Sequence, residues 1–164
     1  MTIQEKLIAR FGNPMESPKV FEVENCTIWD TALEFPWVSE DITVFGQTFR
    51  RIKCHKMIVE PLRIVFKRLY ELGLHEEIKT FDGCFQPRYI RGQEKKGILS
   101  IHSWALAVDF NASQNPLGLN REECIARGLK PFSKEFVQVW RDAGWKCGED
   151  FDDLMHFEWT INLF

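Results

Sequence analysis

The stretch SIHSWALAVD (residues 100–109) contains two potential metal ligands, His102 and Asp109, separated by a largely apolar segment. Residues 105–110 are mostly apolar and alternate in a pattern typical of a buried β-strand, so we predict a strand there. An extended chain rises about 3.3 Å per residue, which would hold His102 and Asp109 too far apart for one ion. The chain is therefore predicted to bend around residues 103–105, before the strand begins.

A second stretch, DLMHFEW (residues 153–159), places His156 at the start of another apolar alternation. A catalytic zinc takes three protein ligands of the histidine and carboxylate type and keeps a fourth position open for water. His102, Asp109 and His156 would supply that set. The sequence therefore suggests one zinc centre assembled from two distant segments.

Hydrolysis at such a centre also needs a proton acceptor and a positive charge near the developing oxyanion. Asp153 stands three residues before the second histidine and is the first candidate for the base, with Asp150 and Asp152 as alternatives on the same acidic loop. The upstream segment GCFQPRYIRG offers Arg88 and Arg91 as candidate cations.

These motifs resemble those of the M15 zinc peptidases. Residues 100–109 resemble the motif S-x-H-x-x-G-x-A-x-D, with Ala105 where the family usually has glycine, and residues 153–156 resemble the second motif, an acidic residue three before a histidine. The arginine segment looks like the region upstream of the first motif. The family includes D-alanyl-D-alanine carboxypeptidases and dipeptidases and the L-alanyl-D-glutamate endopeptidases of phage endolysins, and the aspartate at position 153 is more similar to the endopeptidase branch.

The resemblance implies a Zn²⁺-dependent peptidase that cuts the stem peptides of bacterial peptidoglycan, foremost as an endolysin-like L-alanyl-D-glutamate endopeptidase. A D-alanyl-D-alanine carboxypeptidase is the alternative, and a non-catalytic zinc-stabilised cell-wall-binding or virion module is an alternative of another class. The implied roles are metal ligation by His102, Asp109 and His156, catalysis by Asp153 and Arg88, and support of the site by Ser100. Arg91 and Trp104 are further candidates for substrate binding. For Trp104, packing in the core remains open beside a place in the substrate groove.

Composition and periodicity predict an α+β fold, with helices packed on a small antiparallel sheet and the zinc site on that sheet. The 164 residues, 45% of them hydrophobic, suit a single peptidase domain over 1–164. Residues 1–40 are expected to form an N-terminal extension that wraps the core, with 13–40 extended. The segments predicted as helices are 2–11, 57–72 and 133–143, and those predicted as strands are 42–45, 48–53, 78–81, 105–110 and 157–162, with a hairpin at Gly46-Gln47.

The remaining features argue against several other classes. The net charge is −3 with no dominant basic block, so no nucleic-acid partner is expected. Five cysteines without a C-x-x-C pair indicate reduced thiols, and His55 and His75 are expected at the surface. No apolar stretch could span a bilayer and the start lacks a signal-peptide core, so we expect synthesis in the cytoplasm and access to the wall by holin-type release or within a virion, with a monomer favoured.

Overall fold

The structure is a computed structural model that describes residues 1–164. Helix and strand are mixed, as the predicted α+β class requires. The helices are α1 (Ile3–Phe11), α2 (Pro18–Asn25), α3 (Thr31–Glu34), α4 (Trp37–Asp41), α5 (Val59–Glu71), α6 (Arg121–Ala126) and α7 (Lys134–Asp142). The strands are β1 (Cys26–Trp29), β2 (Thr43–Val44), β3 (Gln47–Thr48), β4 (Ile52–His55), β5 (Phe81–Gly83), β6 (Ala107–Phe110), β7 (Lys146–Cys147) and β8 (His156–Glu158).

The largest sheet has four antiparallel strands in the order β5-β6-β8-β7. In the pairing of β6 with β8, Asp109 lies opposite His156 and Val108 lies opposite Phe157. Residues directly opposite each other in an antiparallel pair point to the same face, and successive residues alternate between faces. Asp109 and His156 therefore share one face of the sheet, and Val108 and Phe157 share the other.

Aromatic side chains pack α5 and α7 against the second of these faces. Phe66 of α5 lies 6.1 Å from Phe110 between ring centroids, and Trp140 of α7 stacks on Phe157 at 4.2 Å. All four side chains are buried, and such rings bury large apolar areas. This packing leaves the opposite face, with Asp109, free to form a site.

The two long helices predicted from periodicity are confirmed. In α5, Leu62, Val65, Phe66 and Leu69 are fully buried at helical spacing, and Gly73 follows the helix with a φ of 72°. In α7, the Oγ of Ser133 accepts a hydrogen bond from the backbone N–H of Phe136, as an N-cap does. The N-terminal helix is also confirmed and ends at Gly12.

The expectation of an extended chain over residues 13–40 is wrong. This region contains α2, β1, α3 and α4, and its side chains Phe21, Trp37 and Val38 are buried in the core. Pro18 begins α2 and Pro36 caps α4. Proline fits the first turn of a helix because the N–H that it lacks would have no partner there. Pro18 and Pro36 therefore mark the starts of helices, and not an extended chain.

The strand predictions need smaller corrections. A hairpin of β2 and β3 forms, but its turn lies at Phe45-Gly46. Strand β4 does not continue β3 of this hairpin, because it pairs with β1 in a separate sheet. The strand predicted at 78–81 begins only at Phe81, because the backbone N–H groups of Lys79 and Thr80 donate to the side-chain Oδ1 of Asn111. The closing strand begins at His156 and ends at Glu158, earlier than predicted.

His55 is buried, which corrects its expected surface position. Its ring lies 4.6 Å from that of Phe11 and 6.3 Å from that of Phe21, and its Nδ1 accepts from the N–H of Met57. His75 is half-buried between Trp37 and another aromatic ring. The five cysteines are buried free thiols, and none of the helices combines the length and apolarity needed to cross a bilayer.

Candidate metal centre

The three predicted ligands come together in the structure. Asp109 lies on β6, His156 begins β8, and His102 lies in the 3₁₀ turn Ile101–Trp104 that precedes β6. The Nε2 of His102 is 3.1 Å from Oδ2 of Asp109, and the Nδ1 of His156 is 3.1 Å from its Oδ1. All three residues are buried.

The bend predicted between His102 and Asp109 is present and depends on Ala105. This residue has φ 56° and ψ 30°, the left-handed region that glycine adopts more easily. Its N–H donates to the carbonyl of His102, and its own carbonyl accepts from the N–H of His55. The motif position that usually holds glycine thus requires a positive φ, and here alanine occupies it at a cost of about 1 kcal/mol.

Hydrogen bonds fix which ring nitrogen of each histidine faces the centre. The Nδ1 of His102 is 2.9 Å from the carbonyl oxygen of Cys84, which can only accept, so Nδ1 carries the proton. The Nε2 of His156 is 3.0 Å from the carboxylate of Glu158, so in the neutral ring Nε2 carries the proton. The nitrogens that remain, one on each ring, both face Asp109.

This arrangement fits a zinc ion. The Nε2 of His102 is buried with no hydrogen-bond partner, because Oδ2 of Asp109 lies near it but not in the direction of a hydrogen bond. Ligand atoms of His102, Asp109 and His156 all lie within 4.8 Å of one another. A tetrahedral zinc with ligand distances of about 2.0–2.2 Å would hold neighbouring ligand atoms about 3.3–3.6 Å apart. Each histidine nitrogen lies 3.1 Å from an oxygen of Asp109, near that separation.

The charges around Asp109 are strongly coupled. Burial alone would raise the pKa of Asp109, but the adjacent His102 and His156 side chains outweigh it and lower the pKa to about 2. Burial alone would lower the pKa of His156, but its hydrogen bonds to Asp109 and Glu158 raise the pKa to about 9. The site thus stabilises a positive charge beside Asp109, which either a proton or a metal cation can supply.

Among the three acidic candidates for a base, the structure brings only Asp153 to the centre. Its carboxylate is 3.9 Å from Nδ1 of His156 and is mostly buried, and this burial raises its pKa. Asp150 instead forms a salt bridge with Arg141 at 2.8 Å, and Asp152 is exposed outside the cleft. A carboxyl group with a raised pKa is better suited to exchange protons near neutral pH.

The ligands open into a cleft of about 780 Å³. Arg88 and Arg91 are exposed on one side of it, and neither guanidinium has a hydrogen-bond or ion-pair partner within the chain. The positive charge of Arg88 partly offsets the rise in the pKa of Asp153 that burial causes. Both predicted cations therefore lie where they could contact a bound substrate.

Ser100 lines the cleft, but Trp104 does not. The Oγ of Ser100 accepts from the N–H of His102 and so caps the 3₁₀ turn. Trp104 is completely buried and its indole N–H donates to the carbonyl of Gly12. The assignment of Trp104 to substrate binding is therefore corrected, because the turn that directs His102 toward the cleft directs Trp104 into the core.

Two residues at the centre were not singled out from the sequence. Glu158 is buried beside His156, and a signal for it existed, because residues two apart on a strand share a face. Gly148 has no space for a side chain, since a Cβ there would overlap the carbonyl oxygen of Asp153. Nothing in the local sequence indicates that contact.

Residues 93–159 match a family model of the M15 peptidases that is described as D-alanyl-D-alanine carboxypeptidase. The matched range includes the three candidate ligands and Asp153, whereas Arg88 and Arg91 precede it. No curated protein and no solved structure gives a significant match to the chain. The matched segment thus contains the three residues that form the candidate metal centre.

Proposed function

We propose, from the place of residues 93–159 in the M15 peptidase family, that the protein is a zinc peptidase which hydrolyses a peptide bond in peptidoglycan stem peptides. The observation that carries the proposal is the convergence of His102, Asp109 and His156 on one point, with Asp153 beside them at the base of a cleft. One cluster of buried hydrophobic residues includes both Leu7 and Leu163, which supports the proposal that the chain is one peptidase domain.

In this proposal His102, Asp109 and His156 hold the metal. When bound, zinc would lower the pKa of a water molecule and polarise the scissile carbonyl. Asp153 accepts a proton from the attacking water as the oxygen of the water bonds to the carbonyl carbon. The carbon–nitrogen bond then breaks, and Asp153 returns the proton to the leaving amine. The guanidinium of Arg88 donates hydrogen bonds to the carbonyl oxygen as negative charge develops on it.

Within this reaction we place an L-alanyl-D-glutamate endopeptidase first. The cleft is lined by exposed apolar side chains from three separate segments, Tyr89 and Ile90, Leu117, and Phe151. Contacts with several segments would suit a peptide that extends beyond the metal on both sides of the cut bond. Arg91 would contact a carboxylate of the stem peptide. An enzyme with this activity would lyse the bacterial cell wall, as a phage endolysin does.

A D-alanyl-D-alanine carboxypeptidase is the second candidate, and the description of the matched family model favours it. Such an enzyme must bind the free C-terminal carboxylate of its substrate, and an unpaired arginine fork is suited to that group. Either Arg88 or Arg91 could supply the fork. The two candidates share the metal centre and differ in the bond that is cut.

The test is digestion of purified peptidoglycan by the zinc-loaded protein, with mass spectrometry of the released ends. A chelated sample and an Asp153→Asn sample serve as controls. New amino termini at D-glutamate, lost on chelation and regained with zinc, are the expected result. Free D-alanine would move the assignment to the carboxypeptidase, and tight zinc binding with no product from any wall type would favour a non-catalytic cell-wall-binding module.

A further inference from the structure

Residues 88–100, here called the arm, form the side of the cleft that carries both arginines. The arm folds back on itself: Tyr89 and Leu99 form a β-bridge, and the N–H of Ile90 donates to the carbonyl of Ile98 at 2.8 Å. At its base, the N–H of Ser100 donates to the carbonyl of Arg88 at 3.0 Å. The backbone at Arg88 is therefore the point where the arm joins the site.

One buried side chain holds this point. The Oγ of Ser103 accepts from the N–H of Arg88 at 3.0 Å and donates to the carbonyl of Arg88 at 2.9 Å. Ser103 has no exposed surface, and it directly follows the candidate ligand His102 in the 3₁₀ turn. A single hydroxyl thus connects the backbone of the arm to the turn that positions a metal ligand.

We propose that Ser103 is a positioning residue, which fixes the guanidinium of Arg88 relative to the metal centre through the backbone of Arg88. The inference rests on the proposed function, in which Arg88 stabilises the oxyanion. The side chain of Arg88 has no partner of its own in the chain, so its placement depends on where its backbone is held. Displacement of a catalytic group by about 1 Å can lower a rate on the order of 100-fold.

The returning segment of the arm has a separate attachment, which supplies a matched control. The side chain of Gln4 accepts from the N–H of Leu99 at 2.8 Å and donates to the carbonyl of Gly97 at 2.9 Å. Gln4 lies in α1 and has no hydrogen bond to Arg88 or to the candidate ligands. A Gln4→Ala change should loosen the arm at Gly97 and Leu99 and leave both hydrogen bonds between Ser103 and Arg88 in place.

The experiment compares Ser103→Ala and Gln4→Ala with the unmodified zinc-loaded protein, each also in an Arg88→Ala background. We expect Ser103→Ala to lower kcat/KM on stem peptides about 10-fold to 100-fold, with zinc affinity unchanged, and to cause no further loss once Arg88 is alanine. Gln4→Ala should change kcat/KM less than about threefold. Amide hydrogen exchange at Arg88 should become faster in Ser103→Ala alone, because that N–H loses its acceptor.

Three outcomes would overturn this inference alone, and a fourth would overturn the proposed function as well. Full turnover by Ser103→Ala, or a loss that multiplies with the loss from Arg88→Ala, would show that Ser103 does not act through Arg88. Unchanged amide exchange at Arg88 would show that Ser103 does not hold the arm. An absence of zinc-dependent turnover in the unmodified protein would instead overturn the proposed function, and this inference with it.

Discussion

At the candidate metal centre, each histidine is oriented by a hydrogen bond between its second ring nitrogen and another residue. Cys84 provides a carbonyl for Nδ1 of His102, and Glu158 provides a carboxylate for Nε2 of His156. Thr160 in turn donates its hydroxyl to Glu158 at 2.7 Å. Such supporting contacts fix the tautomer and the direction of a histidine ligand. They commonly also change the affinity for the metal.

The first prediction at this scale concerns Asp153. Asp153→Asn should keep zinc bound and lower kcat on stem peptides about 10²-fold to 10⁴-fold, because an amide cannot accept the proton of the attacking water. Zinc content by mass spectrometry and steady-state kinetics would check both parts. Asp150→Asn is the matched control, since Asp150 is paired with Arg141 outside the cleft. Unchanged turnover in Asp153→Asn would remove this residue from the mechanism.

Glu158 carries the second prediction. Glu158→Gln should weaken zinc binding about 10-fold, because the charge-assisted hydrogen bond that makes His156 a better donor is replaced by a neutral one. Competition against a coloured chelator would measure the affinity without reference to activity. Glu149→Gln removes a carboxylate that pairs with Arg121 and Arg141 away from the cleft, and its affinity should match the unmodified protein. Equal affinities in all three proteins would contradict the prediction.

At the scale of elements, the loop between β7 and β8 positions Asp153, the proposed base, and leads to His156, a candidate ligand. It begins with a 3₁₀ turn at Gly148, and the N–H of Asp153 donates back to the carbonyl of Gly148 at 2.8 Å. The N–H of His156 then donates to the carbonyl of Asp153 at 2.9 Å, which leads directly into β8. The loop is therefore a compact unit in which Asp153 is fixed from both sides.

Gly148→Ala tests this unit. The added Cβ would overlap the carbonyl oxygen of Asp153, so the loop must shift, and we expect kcat to fall at least about 10-fold together with a loss of stability of about 2 kcal/mol or more. Gly128→Ala is the control, because it has a positive φ of 77° but open space around it, and should cost about 1 kcal/mol with normal turnover. Denaturant unfolding and kinetics of both variants would measure the two effects. Normal turnover in Gly148→Ala would show that the loop tolerates the shift.

At the scale of the whole molecule, the N-terminal elements are joined to the segment that carries the ligands. Strand β4 ends at His55, whose N–H donates to the carbonyl of Ala105 in the left-handed bend. The indole of Trp104 reaches the carbonyl of Gly12 just after α1. Residues far outside the matched range therefore support the geometry of the metal centre.

The buried His55 should make the free energy of unfolding depend on pH. Burial, with smaller effects of Arg10 and Lys56, lowers the pKa of His55 to about 4 from its usual value of 6.5. The unfolded chain therefore binds more protons between these values, and stability falls as pH falls from about 6.5 to 4, by at most about 1.4 kcal/mol per pH unit.

The measurement is urea unfolding of metal-free protein across this pH range, with His55→Asn as comparison. Asparagine can still accept from the N–H of Met57 but does not titrate. We expect the unmodified protein to be more stable than His55→Asn near pH 7 and the difference to shrink toward pH 4. A difference that stays constant with pH would show that His55 is not buried in its neutral form.

The sequence by itself determined the features that depend on spacing within one segment. The apolar period of α5 and α7, the cap at Ser133, and the need for a bend between His102 and Asp109 all follow from neighbouring residues. Each of these is a local property, because side-chain direction repeats regularly along a helix or a strand.

The tertiary structure decided the features that depend on contacts between distant segments. It selected Asp153 over its acidic neighbours, because Arg141 pairs with Asp150. It placed Trp104 in the core against Gly12, and it joined Ser103 to Arg88. A single sequence does not specify such partners, because each depends on how remote elements pack and on which buried polar groups must find hydrogen bonds there.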